Sequence, residues 1–429
     1  MRAISPLWTL LATIALAGCQ GLVTYERQDS HTQPANENEM VYAAVEGGIS
    51  AFRVTPTDGS LQEIDFMPGK FSGLQVSLDG KFLFASSSTL SKDEDYYQRK
   101  VLMVPLKING RFAGPGMEVF SLENLGELTI TQDGRFFVTH TTDAPACDQW
   151  NYRCNYLDWV RTYKIDYSDG LPRATFASEF SIERDYQTVY DGRWFYLRRT
   201  FQSAYGQQVA LQWYCYEFEL DCRAWVEALN IDSEGRISKS QMFIPSSSTK
   251  EFFVRGYEAF GVEASWNWNW LRTSQSLPGH QPQYIWTCRP DYGTPEHYQY
   301  TPPPKECRIG EAFAFAAAGD RLFVAGAEGD NFYLSSPTPA KLWSRPFSFQ
   351  SGIAPEGSSI DTPYRPSSLI LSSRGTTLIG TETSWHDESQ YHSTVKASQL
   401  FVYKINADGS LSEIPNQPPL PVVYSIAVH

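Results

Sequence analysis

The chain has 429 residues, of which 42% are hydrophobic and 14% aromatic, and its 35 Lys and Arg against 48 Asp and Glu give a formal net charge of −13. No stretch is rich in Lys and Arg. Binding phosphates needs a basic surface, so the composition argues against a nucleic-acid partner.

In chain order, the first feature is an export signal. Arg2 precedes an apolar run from Leu7 to Ala17 (LWTLLATIALA), the length of a signal-peptide core and short of the roughly 20 residues a membrane-spanning helix needs. The run ends in Leu16-Ala17-Gly18-Cys19, which resembles the cleavage box of bacterial lipoproteins. The resemblance implies cleavage before Cys19, diacylation of its thiol, and attachment to a membrane of the bacterial cell envelope through that lipid. In lipoproteins of this kind an Asp after the cysteine favours the inner membrane. Gln20 stands there instead, which points to the outer membrane. The alternative is an ordinary secretory signal with a chance cysteine. Residues 20–39 (QGLVTYERQDSHTQPANENE) are polar and aperiodic, as in a flexible tether. The expected organisation is therefore a signal peptide over residues 1–18, a lipidated tether over 19–39, and one folded domain over 40–429.

Export makes disulfides permissible. Beyond Cys19 the cysteines are Cys147, Cys154, Cys215, Cys222, Cys288 and Cys307. Locality favours Cys147–Cys154, Cys215–Cys222 and Cys288–Cys307, although fifteen pairings are formally possible. A clip closing a loop of about eight residues stabilises by about 2.5 kcal/mol in the chain-entropy model, so such bonds would shape loops rather than hold the fold. A CxxC metal pattern is absent from the sequence, and no metal or cofactor is expected.

A repeating unit follows the tether. It consists of an apolar strand, a glycine turn, a second and a third strand, another glycine turn and a fourth strand. The first set of turns is Asp79-Gly80, Asp133-Gly134, Asp191-Gly192, Gly319-Asp320 and Arg374-Gly375, each leading into an apolar run such as FLFAS, FFVTH, WFYLR, RLFVAG or TTLIG. The second set is Asp58-Gly59, Asn109-Gly110, Asp169-Gly170, Glu234-Gly235 and Asp408-Gly409. Asp-Gly and Asn-Gly between alternating apolar runs are hairpin signals, because both residues tolerate positive φ. Seven first strands are expected, beginning near Gly73, Glu127, Tyr186, Phe253, Ala312, Ser367 and Val422. The domain opens on a second strand, Met40 to Ala44, whose missing first strand is offered by Val422 to Val428. Joining the two would close the ring and remove free sheet edges.

The run MVYAAVEGGISAFRVTPTDGSLQEI, with GLQVSLDGKFLFAS after it and QLFVYKINADGSLSEI over residues 399–414, resembles the repeats of the YVTN and 6-phosphogluconolactonase-like propellers. The likeness is good over the first three units and the last, and poor between. It implies an all-β chain: a seven-bladed β-propeller of four-stranded antiparallel blades, with lactone hydrolysis as one activity found in the family.

In such blades the first-to-second and third-to-fourth connections share one face, which here receives the short glycine turns. The other face receives the long second-to-third segments, read as loops over Ser86–Lys100, Thr141–Asp158, Thr200–Arg223, Ser265–Gln283 and Thr383–Ser398. Long loops on a rigid scaffold are where binding sites lie. Two of them match: Cys147 to Cys154 before Trp159-Val160, and Cys215 to Cys222 before Trp225-Val226. The loops are aromatic, with Trp150 and Tyr152 in one, and Trp266, Trp268 and Trp270 alternating with asparagine in another. Alternation puts three indoles on one side of an extended segment, suited to stacking on sugars or a protein hot spot, or alternatively to packing on a neighbouring blade. Trp385 and His386 open the densest polar cluster, which continues through Asp387, Glu388 and His392.

Lactone hydrolysis needs a group to polarise the carbonyl and a base to activate water. The His-rich segment of related lactonases is not recognisable here, and the charged candidates for the channel mouth are Glu127, Arg184, Arg255 and Arg365. The leading expectation is thus a lipid-anchored binding or scaffolding propeller that engages an envelope protein or a glycan, with lactone or ester hydrolysis as the alternative. Cys19→Ser should abolish radiolabelled palmitate incorporation and release the protein from the membrane fraction. Labelling that persists in the variant would refute lipidation at this residue.

Overall fold

The computed structural model describes residues 39–55, 59–71, 73–77, 79–90, 97–123, 125–131, 134–143, 157–166, 173–183, 194–202, 208–216, 225–245, 249–255, 258–264, 271–276, 283–286, 312–318, 320–327, 340–348, 352–354, 356–362, 366–372, 375–389, 392–415, 419–420 and 422–429. All regular structure among them is strand. The first sheet holds β1 (Glu39–Val45), β2 (Gly48–Val54) and β3 (Leu61–Pro68). The second holds β4 (Gly73–Val76), β5 (Phe82–Leu90), β6 (Tyr97–Pro105) and β7 (Met117–Glu123), and the third β8 (Leu125–Ile130), β9 (Phe136–Asp143), β10 (Leu157–Asp166) and β11 (Arg173–Glu183). The fourth holds β12 (Trp194–Gln202), β13 (Gln208–Tyr216), β14 (Trp225–Ile231) and β15 (Ile237–Pro245), and the fifth β16 (Thr249–Arg255), β17 (Glu258–Ala264), β18 (Leu271–Ser276) and β19 (Gln283–Trp286). The sixth holds β20 (Ala312–Ala318), β21 (Arg321–Ala327), β22 (Ala340–Ser348), the short β23 (Gly352–Ile353) and β24 (Ser358–Thr362). The seventh holds β25 (Pro366–Leu371), β26 (Thr377–Ser389), β27 (His392–Ile405), β28 (Leu411–Ile414) and the short β29 (Pro419–Leu420). Finally β30 (Val423–Val428) pairs antiparallel with β1 and gives the first sheet its fourth strand. Residues Asn38–His429 form one compact unit.

The strands are explained by two-sided burial. All seven residues of β1 are buried. Side chains alternate along a strand, so Met40, Tyr42 and Ala44 pack with Leu83, Ala85 and Val104 of the second sheet, while Val41, Ala43 and Val45 pack with Ile379, Leu400 and Val402 of the seventh. The same alternation recurs elsewhere. Phe137 joins Phe84 and Met103 of the second sheet, whereas Phe136 and Val138 join Leu229 and Ile231 of the fourth. Phe401 and Tyr403 join Phe323 and Leu342 of the sixth sheet. Burying each such side chain contributes about 1.5–3 kcal/mol. Phe84 and Phe137 meet edge-on with centroids 4.9 Å apart, the favoured geometry for aromatic pairs.

Glycine turns lock four of the sheets onto their predecessors. In the turn from β6 to β7, Gly110 has φ 79°, and its carbonyl accepts a 2.9 Å hydrogen bond from the buried Tyr42 hydroxyl of the first sheet. In the turn from β14 to β15, Gly235 has φ 87°. Its carbonyl accepts from Thr162 Oγ1 at 2.5 Å and Ser178 Oγ at 2.8 Å, both on the third sheet. The turn from β27 to β28 accepts from the sixth sheet, Arg321 Nη2 donating to the Asp408 carbonyl at 2.7 Å. Gly59, between β2 and β3, lies against Ile414 of the seventh sheet. One device thus serves four junctions, including the junction of the first sheet with the seventh.

Three sequence expectations are corrected. Tyr186 lies outside the described residues, the first described strand of the fourth unit is β12, and β13 occupies ground read as the Thr200–Arg223 loop. There Val209, Leu211 and Trp213 alternate with Ala210, Gln212 and Tyr214, a strand pattern that the Asp191-Gly192 signal overrode. The Ser265–Gln283 loop contains β18, whose residues LRTSQS offer no apolar run to detect. The Thr383–Ser398 segment continues β26 and β27 as a long hairpin, with Trp385 opposite Val395 and His386 opposite Thr394.

A methyl group on Gly235 would meet Phe136 at 2.7 Å and Ala177 at 2.8 Å, in a backbone conformation that side chains disfavour. Gly235→Ala should therefore destabilise the protein by about 1–3 kcal/mol, and Tyr42→Phe, which removes one hydrogen bond, by about 1 kcal/mol. Urea denaturation checks both. Unchanged midpoints would contradict the locking role of these turns.

Candidate functional site

Antiparallel order fixes which connections share an end of each sheet. First-to-second and third-to-fourth connections emerge at one end, here called the turn end. It holds the turns 77–81, 232–236 and 406–410 and two longer connections, 106–116 and 349–357, the latter containing β23. Second-to-third connections and the links between sheets emerge at the other end, the loop end. These include 91–96, 144–156, 217–224, 265–270, 328–339 and the sheet-to-sheet link 287–311.

The residues singled out for binding belong in sequence to the segments between second and third strands. Trp150 and Tyr152 lie outside the described residues, within the β9–β10 connection, and Trp266, Trp268 and Trp270 likewise within the β17–β18 connection. Trp385 and His386 stand on the hairpin extension of β26. The two similar cysteine segments both bridge second and third strands, Cys215 lying in β13 just before its end. The other cysteines, including Cys19, lie outside the described residues, and so do Arg184 and Arg365. Glu127 sits near the loop end of β8, whereas Arg255 is the last residue of β16 and sits at the turn end. No metal-binding group of three or more His, Cys, Asp or Glu occurs among the described residues.

At six of the seven junctions the first strands of successive sheets run beside one another. β30 lies beside β4 and β25, β4 beside β8, β8 beside β12, β16 beside β20, and β20 beside β25, while the fourth and fifth sheets meet through β15 against β17 and β18. Among the described residues no backbone ladder joins one sheet to the next, and at two junctions side chains supply bonds in its place. Ser425 Oγ of β30 accepts from the Leu74 amide of β4 at 3.1 Å. Gln75 of β4 mimics a peptide group toward β8, accepting from the Ile130 amide at 3.0 Å and donating to its carbonyl at 3.5 Å.

These first strands share a further feature that the sequence did not announce. In six sheets the pairing of first with second strand slips by one residue, leaving one position unpaired: Tyr424 in β30, Gly126 in β8, Arg198 in β12, Lys250 in β16, Phe313 in β20 and Ser367 in β25. Each bulge stands four or five residues before the turn end of its strand. Bulges re-aim side chains and recur beside functional sites. Tyr424 is the one whose side chain is described, and it is 55% exposed within a mostly buried strand. No local signal marks these positions, because a bulge depends on the partner strand.

No family model matches the chain, and no curated protein matches it. Among solved structures it is similar to a protein from Lactobacillus plantarum, with 10% identity and a TM-score of 0.54 over 91% of this chain and 99% of that one. It is also similar to prolyl oligopeptidase B from Galerina marginata, with 10% identity and a TM-score of 0.50 over 90% of this chain and 52% of that one, so it spans about half of that enzyme. The β-propeller domain of the Trilobed protease from Pyrococcus furiosus aligns at 8% identity and a TM-score of 0.44, over 88% of this chain and 93% of that domain. At these identities likeness speaks to the fold alone. The protein is an all-β, strand-rich chain with propeller-like neighbours.

At the turn end, His429 follows β30 and its imidazole lies against Gly80. Its backbone exchanges hydrogen bonds with Met40, at 2.9 and 3.1 Å. In the same turn the Asp79 carboxylate accepts from Ser77 Oγ at 2.7 Å and the Lys81 amide at 3.1 Å, and pairs with Lys81 Nζ at 3.2 Å. Partial burial would raise the Asp79 pKa, but these bonds outweigh it and hold the group below the usual carboxylate range. Burial lowers the His429 pKa below 6.5, opposed by the Asp79 charge. A histidine depressed in the folded state stabilises above its unfolded pKa and loses that contribution as pH falls through the folded value. Urea midpoints should therefore decline as pH drops below 6.5, and His429→Gln should flatten that part of the profile. An identical decline in the variant would refute the assignment.

Proposed function

We propose that the chain is a lipid-anchored β-propeller of the bacterial cell envelope, held at the outer membrane and facing the periplasm or the exterior, that binds a protein or a glycan through its loop end. In this reading the seven sheets are the blades of one ring, closed where β30 completes the first sheet. The adjacency of successive first strands, the core shared by the first and seventh sheets, and the turn of Gly59 against Ile414 support it. The observation that carries the binding reading is the division of connections: compact glycine turns predominate at one end, and long aromatic segments lie at the other. A rigid scaffold that displays long loops on one side loses little entropy on binding there.

Binding is preferred to lactone hydrolysis on the placement of the ionisable candidates. Arg255 belongs to the turn end and Glu127 to the loop end, so a single mouth does not gather all four. Glu127 directly follows the bulge of β8, the register position that Ser425 holds in β30, where the side chain bonds the next sheet.

A photo-crosslinking amino acid introduced in living cells at Trp268 or Trp150 should yield discrete high-mass adducts, while the same group at Asn109 or Asp408 of the turn end should not. Adducts from both ends alike, or from neither, would overturn the assignment of the binding face.

A further inference from the structure

We infer that the turn end is the face that lies against the membrane, and that the turn from β6 to β7 seats Ile108 among anionic phospholipid head groups. The inference rests on the lipid-anchored reading above and adds to it a second, non-covalent contact that sets which end faces away from the lipid.

The first observation is a comparison of equivalent turns. Three turns from third to fourth strand share one backbone, in which the glycine amide donates to the carbonyl three residues before it: Gly110 to Lys107 at 2.8 Å, Gly235 to Asp232 at 3.0 Å, and Gly409 to Asn406 at 2.8 Å. The residues leading to that glycine are Asp232-Ser233-Glu234 in the fourth sheet and Asn406-Ala407-Asp408 in the seventh, but Lys107-Ile108-Asn109 in the second. The acids are gone there, and an aliphatic side chain stands where the other two turns have serine and alanine. Ile108 is 90% exposed. Its turn is held in shape by the Lys107 amide donating to the Arg111 carbonyl at 2.8 Å, and by the Arg111 amide donating to Asn109 Oδ1 at 3.2 Å.

The second observation is charge, which gives meaning to a single exposed aliphatic that would otherwise need no explanation. Lys107 and Arg111 flank Ile108, both are exposed, and neither pairs with a carboxylate among the described residues. The connection 106–116 contains no Asp or Glu. The turn-end segments 77–81, 106–116, 131–135 and 164–173 of the second and third sheets hold six cations against four acids, in a chain whose net charge is −13. Of those acids Asp79 is already paired with Lys81. Met117, which opens β7, and Phe176, near the start of β11, add exposed apolar surface, and β7 lies beside β11.

The third observation is where the polypeptide enters. β1 begins with Glu39 at the turn end, so the segment that joins a lipidated Cys19 to the first sheet enters at that end. Twenty flexible residues have a root-mean-square span of about 25 Å, which brings the turn end to the lipid without orienting it. A rigid apolar tip between cations completes the orientation. The aliphatic side chain enters the acyl boundary while the Lys and Arg stems carry their charges back to the phosphates. The loop end is then presented away from the lipid, toward a binding partner.

A photo-crosslinking aliphatic diazirine amino acid at Ile108, in cells fed radioactive phosphate, tests this. Ultraviolet light should attach phospholipid label there at least about fivefold more than from the same group at Ser233 or Ala407, the equivalent turn positions. Lys107→Gln with Arg111→Gln, at exposed side chains and with the urea midpoint unchanged, should cut the label at Ile108 by about tenfold or more. Equal label at the three positions, label that survives the double change, or a protein adduct at Ile108 in place of lipid would each overturn the contact. Palmitate incorporation at Cys19 in the same cells separates this from the anchor. Palmitate without phospholipid label at Ile108 removes the contact and leaves the anchor, whereas label at Ile108 without palmitate does the reverse, and absence of both removes the contact as well.

Discussion

A strand buried on both faces needs a neighbour on each side, and that requirement organises the whole molecule. β1 exposes none of its seven side chains. A single sheet cannot cover both of its faces, so the second sheet covers one and the seventh covers the other. The second and third sheets, the third and fourth, and the sixth and seventh share buried residues in the same way. The pairing of β30 with β1 adds backbone hydrogen bonds to what the side chains already require. Apolar burial and edge protection thus call for the same topology.

Sheets stacked face to face could still slide, since apolar contacts are not directional. The glycine turns remove that freedom. A hydroxyl or guanidinium of one sheet reaches a turn carbonyl of the next, and the absent Cβ lets the turn come close enough to accept it. At Gly235 two hydroxyls converge on one oxygen, which fixes the offset of the third and fourth sheets. The Asp or Asn of the turn has a separate duty. Asp232 accepts from the amides of Glu234 and Arg236, both at 2.8 Å, and so holds the turn shape that presents the glycine carbonyl. The dipeptide is a hinge and an adhesive at once.

This explains which parts of the architecture were legible in the sequence. Asp79-Gly80, Asn109-Gly110 and Asp408-Gly409 each encode a turn through local backbone chemistry, and FFVTH or TTLIG encode a strand through their own alternation, so those elements were readable one at a time. β18 was not, because LRTSQS has no apolar face. The hairpin of β26 and β27 was not, because Trp385 to Ser398 is polar and its strands are specified by pairing with each other. The aromatic segments were assigned correctly to connections between second and third strands, except where a strand interrupts them. The bulges were illegible for a deeper reason: a slip in register belongs to two strands jointly, and Tyr424 looks like any other residue of an apolar run.

The first strands show what stacked sheets demand at their free edges. Each has one edge paired within its own sheet and one edge with amides and carbonyls that no ladder among the described residues satisfies. Unpaired backbone groups are costly when buried. The molecule answers with side chains that imitate the backbone, Gln75 offering both an acceptor and a donor to Ile130, and Ser425 an acceptor to Leu74. In β30 and β8 those bonds sit on the turn side of the bulge. In six first strands the slip withdraws one residue from the ladder with the second strand. A position freed from pairing can vary in chemistry without cost to that ladder.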